Sequence, residues 1–205
     1  GFEHNVQSLR VVDVLESTDS RKGMNLTMEV RDGIINHTGG QLPFTLEGQV
    51  VKLSDRIAYI NHDIDDAVRA GVIAEIDIPR DIAAALGDTK SHRINTLVES
   101  IVKNSDDTIK MDAETEKYYN KLHEFLFESV YKNPVAKSEE TKVSGIVEGL
   151  IKYFFKNPEK MPEEYLKIAA AEGKERAVTD YIAGMTDHYA VTVFSDIYIP
   201  KAWSI

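Results

Sequence analysis

The chain has 205 residues, of which 42% are hydrophobic and 28% charged, with 24 Lys and Arg against 34 Asp and Glu and a net charge of −10. That length and balance fit one or two globular domains and exclude global disorder, and the negative charge argues against nucleic-acid binding driven by overall charge, although a local basic patch could serve it. There is no cysteine, which removes disulfides, thiolate metal sites and thiol catalysis, and no apolar run reaches the roughly 18 residues that a membrane-spanning helix requires. With no signal peptide in view, the cytoplasm is the expected compartment. The chain opens Gly1-Phe2-Glu3-His4-Asn5 and its apolar period begins at once through Phe2, Val6, Leu9 and Val12. This reads as a piece of a longer protein, with apolar residues such as Val6, Leu9 and Val50 left exposed or covered by another chain.

The dominant period is helical throughout. Helices are predicted over 2–16 and over 26–37, the second stopped by Gly39-Gly40. A long helix opens at Thr45-Leu46-Glu47 and runs to about Ala70, with Gly71 as its stop. Along it Leu46, Val50, Leu53, Ile57, Ile60, Ile64 and Ala67 recur at spacings of four and three, a stripe expected to face a core. A short helix follows from Asp77-Ile78-Pro79 to Leu86, then one over 90–103. Residues 108–111 read as a short extended piece. Helices over 113–132, 138–156, 163–171 and 174–192 are punctuated by Asn133-Pro134, Asn157-Pro158, Met161-Pro162 and Gly173. The tail from Val191 to Pro200 reads as β-like or irregular. The fold class is all-α. The charged stretch 104–116 sets the expected boundary, giving regions 1–103 and 104–205.

On the long helix, Asp55, Tyr59 and Asp63 stand at i, i+4 and i+8. At about 100° per residue they share one face, drifting about 40° per step, roughly opposite the apolar stripe. Arg56 projects beside them. On periodicity alone the plainer reading is a solvated polar face. The chemical reading is a site in which a carboxylate holds a hard divalent cation, the guanidinium meets phosphate oxygens, and the phenol and second carboxylate bond a hydroxyl. His62 precedes Asp63, but neighbours on a helix point about 100° apart, so His62 reads as structural or exposed. His4 taken alone reads as a satisfied structural histidine. His37 sits where a cation suits the last turn of a helix, and His92, His123 and His188 are scattered. There is no GxxxxGK[ST], GxGxxG or GxSxG string, so neither a phosphate loop nor a nucleophile elbow is supported.

Several strings carry a resemblance. GFEHNVQSLRVV, GMNLTMEVRDGIINHTG and LEGQVVKLSDRIAYINHDIDDAVRAG, in that order, with RAVTDYIAGMTDHYA near the end, resemble the dGTPase-like deoxynucleoside triphosphate triphosphohydrolases of the HD-domain superfamily. The matches are dense over the first 71 residues and cover about 15 more near the C-terminus. The resemblance implies an HD-domain-like multi-helix bundle, of which 1–103 is the C-terminal part of the catalytic helical domain. It implies hydrolysis of a dNTP to deoxynucleoside and tripolyphosphate, a divalent metal such as Mn²⁺ or Mg²⁺, and assembly as a homo-oligomer.

Carried over residue by residue, Asp55 matches the last ligand of the family's metal set. Arg56 lies where a basic residue faces the phosphates, and Tyr59 and Asp63 match residues around the sugar 3′-hydroxyl. His4 resembles a catalytic histidine near the triphosphate. The family's first His and its His-Asp dipeptide precede the GFEHN string and are not in this chain, and His62-Asp63 follows the last ligand and does not replace them. These 205 residues are therefore expected to be inactive alone, with the metal absent. The alternatives are another HD-type nucleotide phosphohydrolase, or a helical fragment that binds nucleotides or partners without turnover.

Overall fold

The computed structural model describes residues 1–18 and 20–201. Among these there are ten α-helices and no strand beyond one isolated bridge, Thr18 to Arg21, as the helical period requires. The helices are α1 (His4–Arg10), α2 (Met28–Asn36), α3 (Leu46–Arg69), α4 (Arg80–Leu86), α5 (Lys90–Asn104), α6 (Ala113–Leu126), α7 (Pro134–Lys156), α8 (Glu163–Glu172), α9 (Lys174–Ala183) and α10 (Asp187–Tyr198). Single π turns extend α1 over Val11–Leu15 and α6 over Phe127–Tyr131. No helix is long and apolar enough to cross a membrane among the described residues.

The chain divides into two compact units, Gly1–Asn133 and Pro134–Ile205. They part well beyond the 103/104 boundary read from the charged stretch. The reason is α6: its Tyr119, Leu122 and Leu126 are buried in the first unit's core with Ile82 and Leu86 of α4 and Leu97 of α5. The charged residues 104–116 merely lead into that helix, and Asp112 caps it by accepting from Glu114 N at 3.0 Å and Thr115 N at 2.9 Å.

Helix α3 organises the first unit. Thr45 is its N-cap, the hydroxyl accepting from Gly48 N at 3.1 Å, and its 24 residues span about 36 Å at 1.5 Å per residue. The apolar stripe divides into two halves. Ile57, Ile60, Ile64 and Ala67 are buried, while Leu46 and Val50 are exposed. The N-terminal half does not meet the core. Helix α2 packs on the other side of this half through glycine, where a Cβ on Gly33 would stand 3.8 Å from the Gly48 Cα and one on Gly48 would stand 2.6 Å from Pro43 Cβ. Val6 is exposed as expected, and Leu9 is half-buried. Residues 108–111 form no strand; Ile109 N donates to Gln49 Oε1 at 3.1 Å.

In the second unit, Leu150 and Phe154 of α7 pack with Met161 and with Ala177 and Val178 of α9. The expected 174–192 helix is two helices. Gly184 ends α9, and Thr186 caps α10, its hydroxyl accepting from Tyr189 N at 3.2 Å. Of the tail read as β-like or irregular, residues up to Tyr198 belong to α10, while Ile199 and Pro200 are irregular. The β-branched residues of α10 lose some helix propensity, but Val193, Phe194 and Ile197 lie at helical spacing against the second core, and Tyr198 Oη donates to Gly149 O at 3.0 Å. Burial outweighs the local preference.

Candidate functional site

Asp55, Arg56 and Tyr59 of α3 line a cleft of about 770 Å³, joined there by His4, His37 and His123. The placement follows from the helix: with Ile57 and Ile60 buried, the residues between and before them turn away from the core. Asp55 is exposed and Tyr59 is 39% exposed. Arg56 is held on two sides. Its guanidinium carbon lies 4.7 Å from the centroid of the buried Tyr119 ring, and Tyr119 Oη donates to the Arg56 carbonyl at 3.2 Å. Burial pushes the Tyr119 hydroxyl up from its ordinary pKa, so it stays a neutral donor.

Asp63 lies two turns along α3 from Asp55 and does not line the cleft; it is linked to Tyr59 through a residue that sequence reasoning missed. Tyr131, at the end of the π turn after α6, donates its hydroxyl proton to the Asp63 carboxylate, and its oxygen lies 3.2 Å from Tyr59 Oη. Tyr59 Oη is in turn 3.4 Å from His123 Nε2. Burial, then the bond to Asp63, pushes the Tyr131 hydroxyl far up. Two polar-tipped rings eight residues apart, His123 and Tyr131, were the available signal. A π turn, which re-aims side chains and recurs at functional sites, has no such sequence mark.

The rim of the cleft is built on a buried cation. Lys52 is 7% exposed, and its ammonium donates to four carbonyls: Asn36 at 3.0 Å, Thr38 at 3.3 Å, Gly39 at 2.8 Å and Gln41 at 2.8 Å. These are the unsatisfied acceptors at the end of α2 and the turn after it. Burial, then the nearby Arg56, lowers the Lys52 pKa. His37 is the C-cap residue of α2 and donates from Nδ1 to Ile34 O at 2.7 Å. His4, the first residue of α1, places Nε2 3.2 Å from His37 Nε2. His62 is exposed and does not line the cleft.

The chemistry that these side chains offer is anion binding by Arg56 and hydroxyl binding by Tyr59, Tyr131 and Asp63. They do not by themselves fit a divalent cation. Among the described residues no three His, Asp or Glu side chains are grouped so as to hold one, and a lone carboxylate leaves most of a hard cation's six to eight ligands to be found elsewhere.

Residues 109–196 match the phosphohydrolase-associated domain family. Over 205 residues the chain is 50% identical to a deoxyguanosinetriphosphate triphosphohydrolase-like protein of Caldanaerobacter subterraneus subsp. tengcongensis, covering 99% of this chain and 60% of the relative. Proteins of the same name from Clostridium tetani and Desulfatibacillum aliphaticivorans are 43% and 34% identical, over 98% and 97% of this chain and 61% and 62% of theirs. The chain thus resembles the dGTPase-like triphosphohydrolases over nearly its whole length, and spans about three-fifths of the length of these relatives. The family match begins at 109, near the charged stretch, whereas the compact units part at 133/134.

Proposed function

We propose that the intact protein hydrolyses a deoxynucleoside triphosphate to deoxynucleoside and tripolyphosphate, and that the cleft beside α3 is the part of its substrate site which this chain contributes. One observation carries the reading. Asp55, Arg56 and Tyr59 face one cleft, with Asp63 tied to Tyr59 through Tyr131, in a chain up to 50% identical to proteins named for dGTP triphosphate hydrolysis.

Arg56, its guanidinium held over the Tyr119 ring, meets the triphosphate as a fixed charge that costs no reorganisation when charge develops on the phosphates. Tyr59 and Asp63 take the sugar hydroxyl, and Tyr131 holds the Asp63 carboxylate in place before substrate arrives. Fixing the sugar at one end and the phosphates at the other aligns the scissile bond with an attacking oxygen. His4 stands at the rim as a proton-carrying group beside the phosphates. The resemblance implies a divalent ion, for which Asp55 supplies one carboxylate. The residues of this chain do not complete its shell.

The experiment is product analysis of the intact protein with each dNTP and Mn²⁺ or Mg²⁺. Deoxynucleoside and tripolyphosphate are the expected products; release of pyrophosphate or orthophosphate, or no turnover at all, would refute the reading. In the same assay Asp55→Ala abolishes turnover. Asp63→Ala raises KM at least about tenfold, the scale of one lost hydrogen bond to a charged group, with bound metal unchanged. Full activity of Asp55→Ala would remove this cleft from the active site. The 205 residues alone release no tripolyphosphate.

A further inference from the structure

The residues ahead of Ile57 fold without an apolar core of their own. Among the described residues neither core takes a side chain that precedes Ile57, and the fully buried positions before it are Gln7, Gly23, Pro43, Gly48 and Lys52. Helices pack because each buries an apolar stripe on another element, and here two such stripes stay open. Val30, Gly33 and Ile34 of α2 and Gly48 and Val51 of α3 line one groove of about 680 Å³. Val30 is 48% and Val51 56% exposed.

The shape and charge of this groove define what fits it. An open trough between two packed helices suits the apolar face of a third. From Gly48 to Asp55 the lining of α3 runs about 10 Å at 1.5 Å per residue, or about two turns. An occupant of that length presents apolar side chains at i, i+3 or i+4, and i+7. Glu29 and Glu47 also stand on the lining, and neither has a cationic partner among the described residues.

We propose that the groove seats an amphipathic helix of the intact protein's own chain, drawn from outside these 205 residues, with Lys or Arg beside its apolar stripe to meet Glu29 and Glu47. The relatives have the length to supply it: the match covers 60% of the Caldanaerobacter protein, which leaves 40% outside. The face is also an obligate one, because without a cover α1, α2 and the first half of α3 bury no large apolar side chain fully. A segment of the same chain closes such a face at any concentration, whereas a separate partner closes it only by mass action. The groove and the cleft share His37 and Asp55, so the seated helix forms one wall of the cleft as well.

The test uses the intact protein without nucleotide, carrying Val30→Cys or Val51→Cys, each a small apolar replacement. Each new thiol is expected to react with a maleimide at least about 100-fold more slowly in the native protein than in urea, because it reacts only when the segment opens. That protection should be the same at every protein concentration; parallel labelling of the parent subtracts any thiol it has of its own. A thiol that reacts freely in the native protein shows an open groove and overturns the proposal. Protection lost on dilution assigns the groove to a second copy and overturns it too. Glu47→Cys, labelled at the rim with a benzophenone maleimide and irradiated, identifies the occupant. The expected adduct keeps the monomer mass and maps to a segment of helical apolar period outside these residues. An adduct of twice the monomer mass, one that maps only within these residues, or no adduct at all overturns the assignment. Because no turnover is measured, the result is independent of the triphosphohydrolase reading.

Discussion

Replacing Lys52 by Met tests how the cleft rim is held. Met keeps the apolar stem and deletes the ammonium, so four carbonyls, those of Asn36, Thr38, Gly39 and Gln41, lose one shared donor. A hydrogen bond to a charged group contributes about 1.5–3 kcal/mol, but the four contacts are not additive. The ammonium has three protons for four acceptors, and its burial already opposes the charge. The turn at Gly39, Gly40 and Gln41 is exposed, so some carbonyls regain water. The net cost is then about 2–3 kcal/mol, or about 8 °C in melting temperature for a chain of this size. Thermal unfolding followed by circular dichroism reads the magnitude. Hydrogen exchange reads the location, with amides over residues 36–42 exchanging faster than in the parent. A melting temperature within about 1 °C of the parent, with unchanged exchange in that segment, would refute the assignment of Lys52 as the clamp.

Two further outcomes follow from packing and capping. The Asp112 carboxylate accepts from Ser100 Oγ and Thr115 Oγ1, both at 2.6 Å, as well as from the first amides of α6, and these bonds, the one from Ser100 foremost, hold it well below the usual carboxylate range. A depressed folded-state pKa contributes stability that is complete above the unfolded value near 4 and lost as pH falls through the folded one. Asp112→Asn, still a competent cap but without the charge that strengthens the Ser100 and Thr115 bonds, should therefore cost about 1 kcal/mol at pH 7 and flatten the decline of stability below about pH 4; acid-titrated urea melts with parallel slopes for variant and parent would contradict this. In the second unit, Gly149→Ala places a Cβ 2.7 Å from Phe194 Cε2. It should destabilise by about 1–3 kcal/mol through overpacking, seen as a lower urea midpoint, whereas an unchanged midpoint would show that α10 shifts freely on α7.

The helical architecture was legible because its period is long and its stops are strong. Pro79, Gly87, Gly173 and the Asn-Pro pairs at 133–134 and 157–158 all fall at helix ends. What periodicity does not carry is which element covers an apolar stripe. The run from Leu46 to Ala67 is continuous in sequence, yet only its second half meets a core; α2 approaches at Gly48, about 200° around the helix from Leu46 and Val50, and leaves them exposed. The tail was misread for the opposite reason. Val191, Thr192, Val193 and Ile197 suit a strand locally, and the packing of Val193 and Ile197 on Phe154 and its neighbours holds the segment helical. The cleft was half legible. Spacing places Asp55, Tyr59 and Asp63 on one helix face, but Tyr131 and His123 reach it across 64 to 72 positions of sequence, and no local pattern encodes that.

The strings that carry the family resemblance can be separated by the work each residue does in the fold. In RAVTDYIAG, Asp180 is fully buried and paired with Arg176 at 2.5 Å, and Ala177 and Val178 fill the second core. In KLSDRIAYINHDID, Lys52 clamps a turn, Ile57, Ile60 and Ile64 are core, and Asn61, also buried, donates to Ile57 O at 2.8 Å and accepts from Arg93 Nε at 3.2 Å. Packing and buried polar pairing account for all of these without reference to any substrate. The same account does not reach Asp55 and Tyr59, which are exposed, and it explains Asp63 only through a tyrosine that itself leans on Tyr59. A side chain that the fold does not need, held in a cleft by residues the fold has fixed, is where activity is expected to reside. Similarity over the buried positions therefore speaks for the architecture. The proposed chemistry rests on the few residues of α3 that the fold leaves exposed beside the cleft, which is why the Asp55→Ala variant can separate the two: it should melt with the parent while turnover fails.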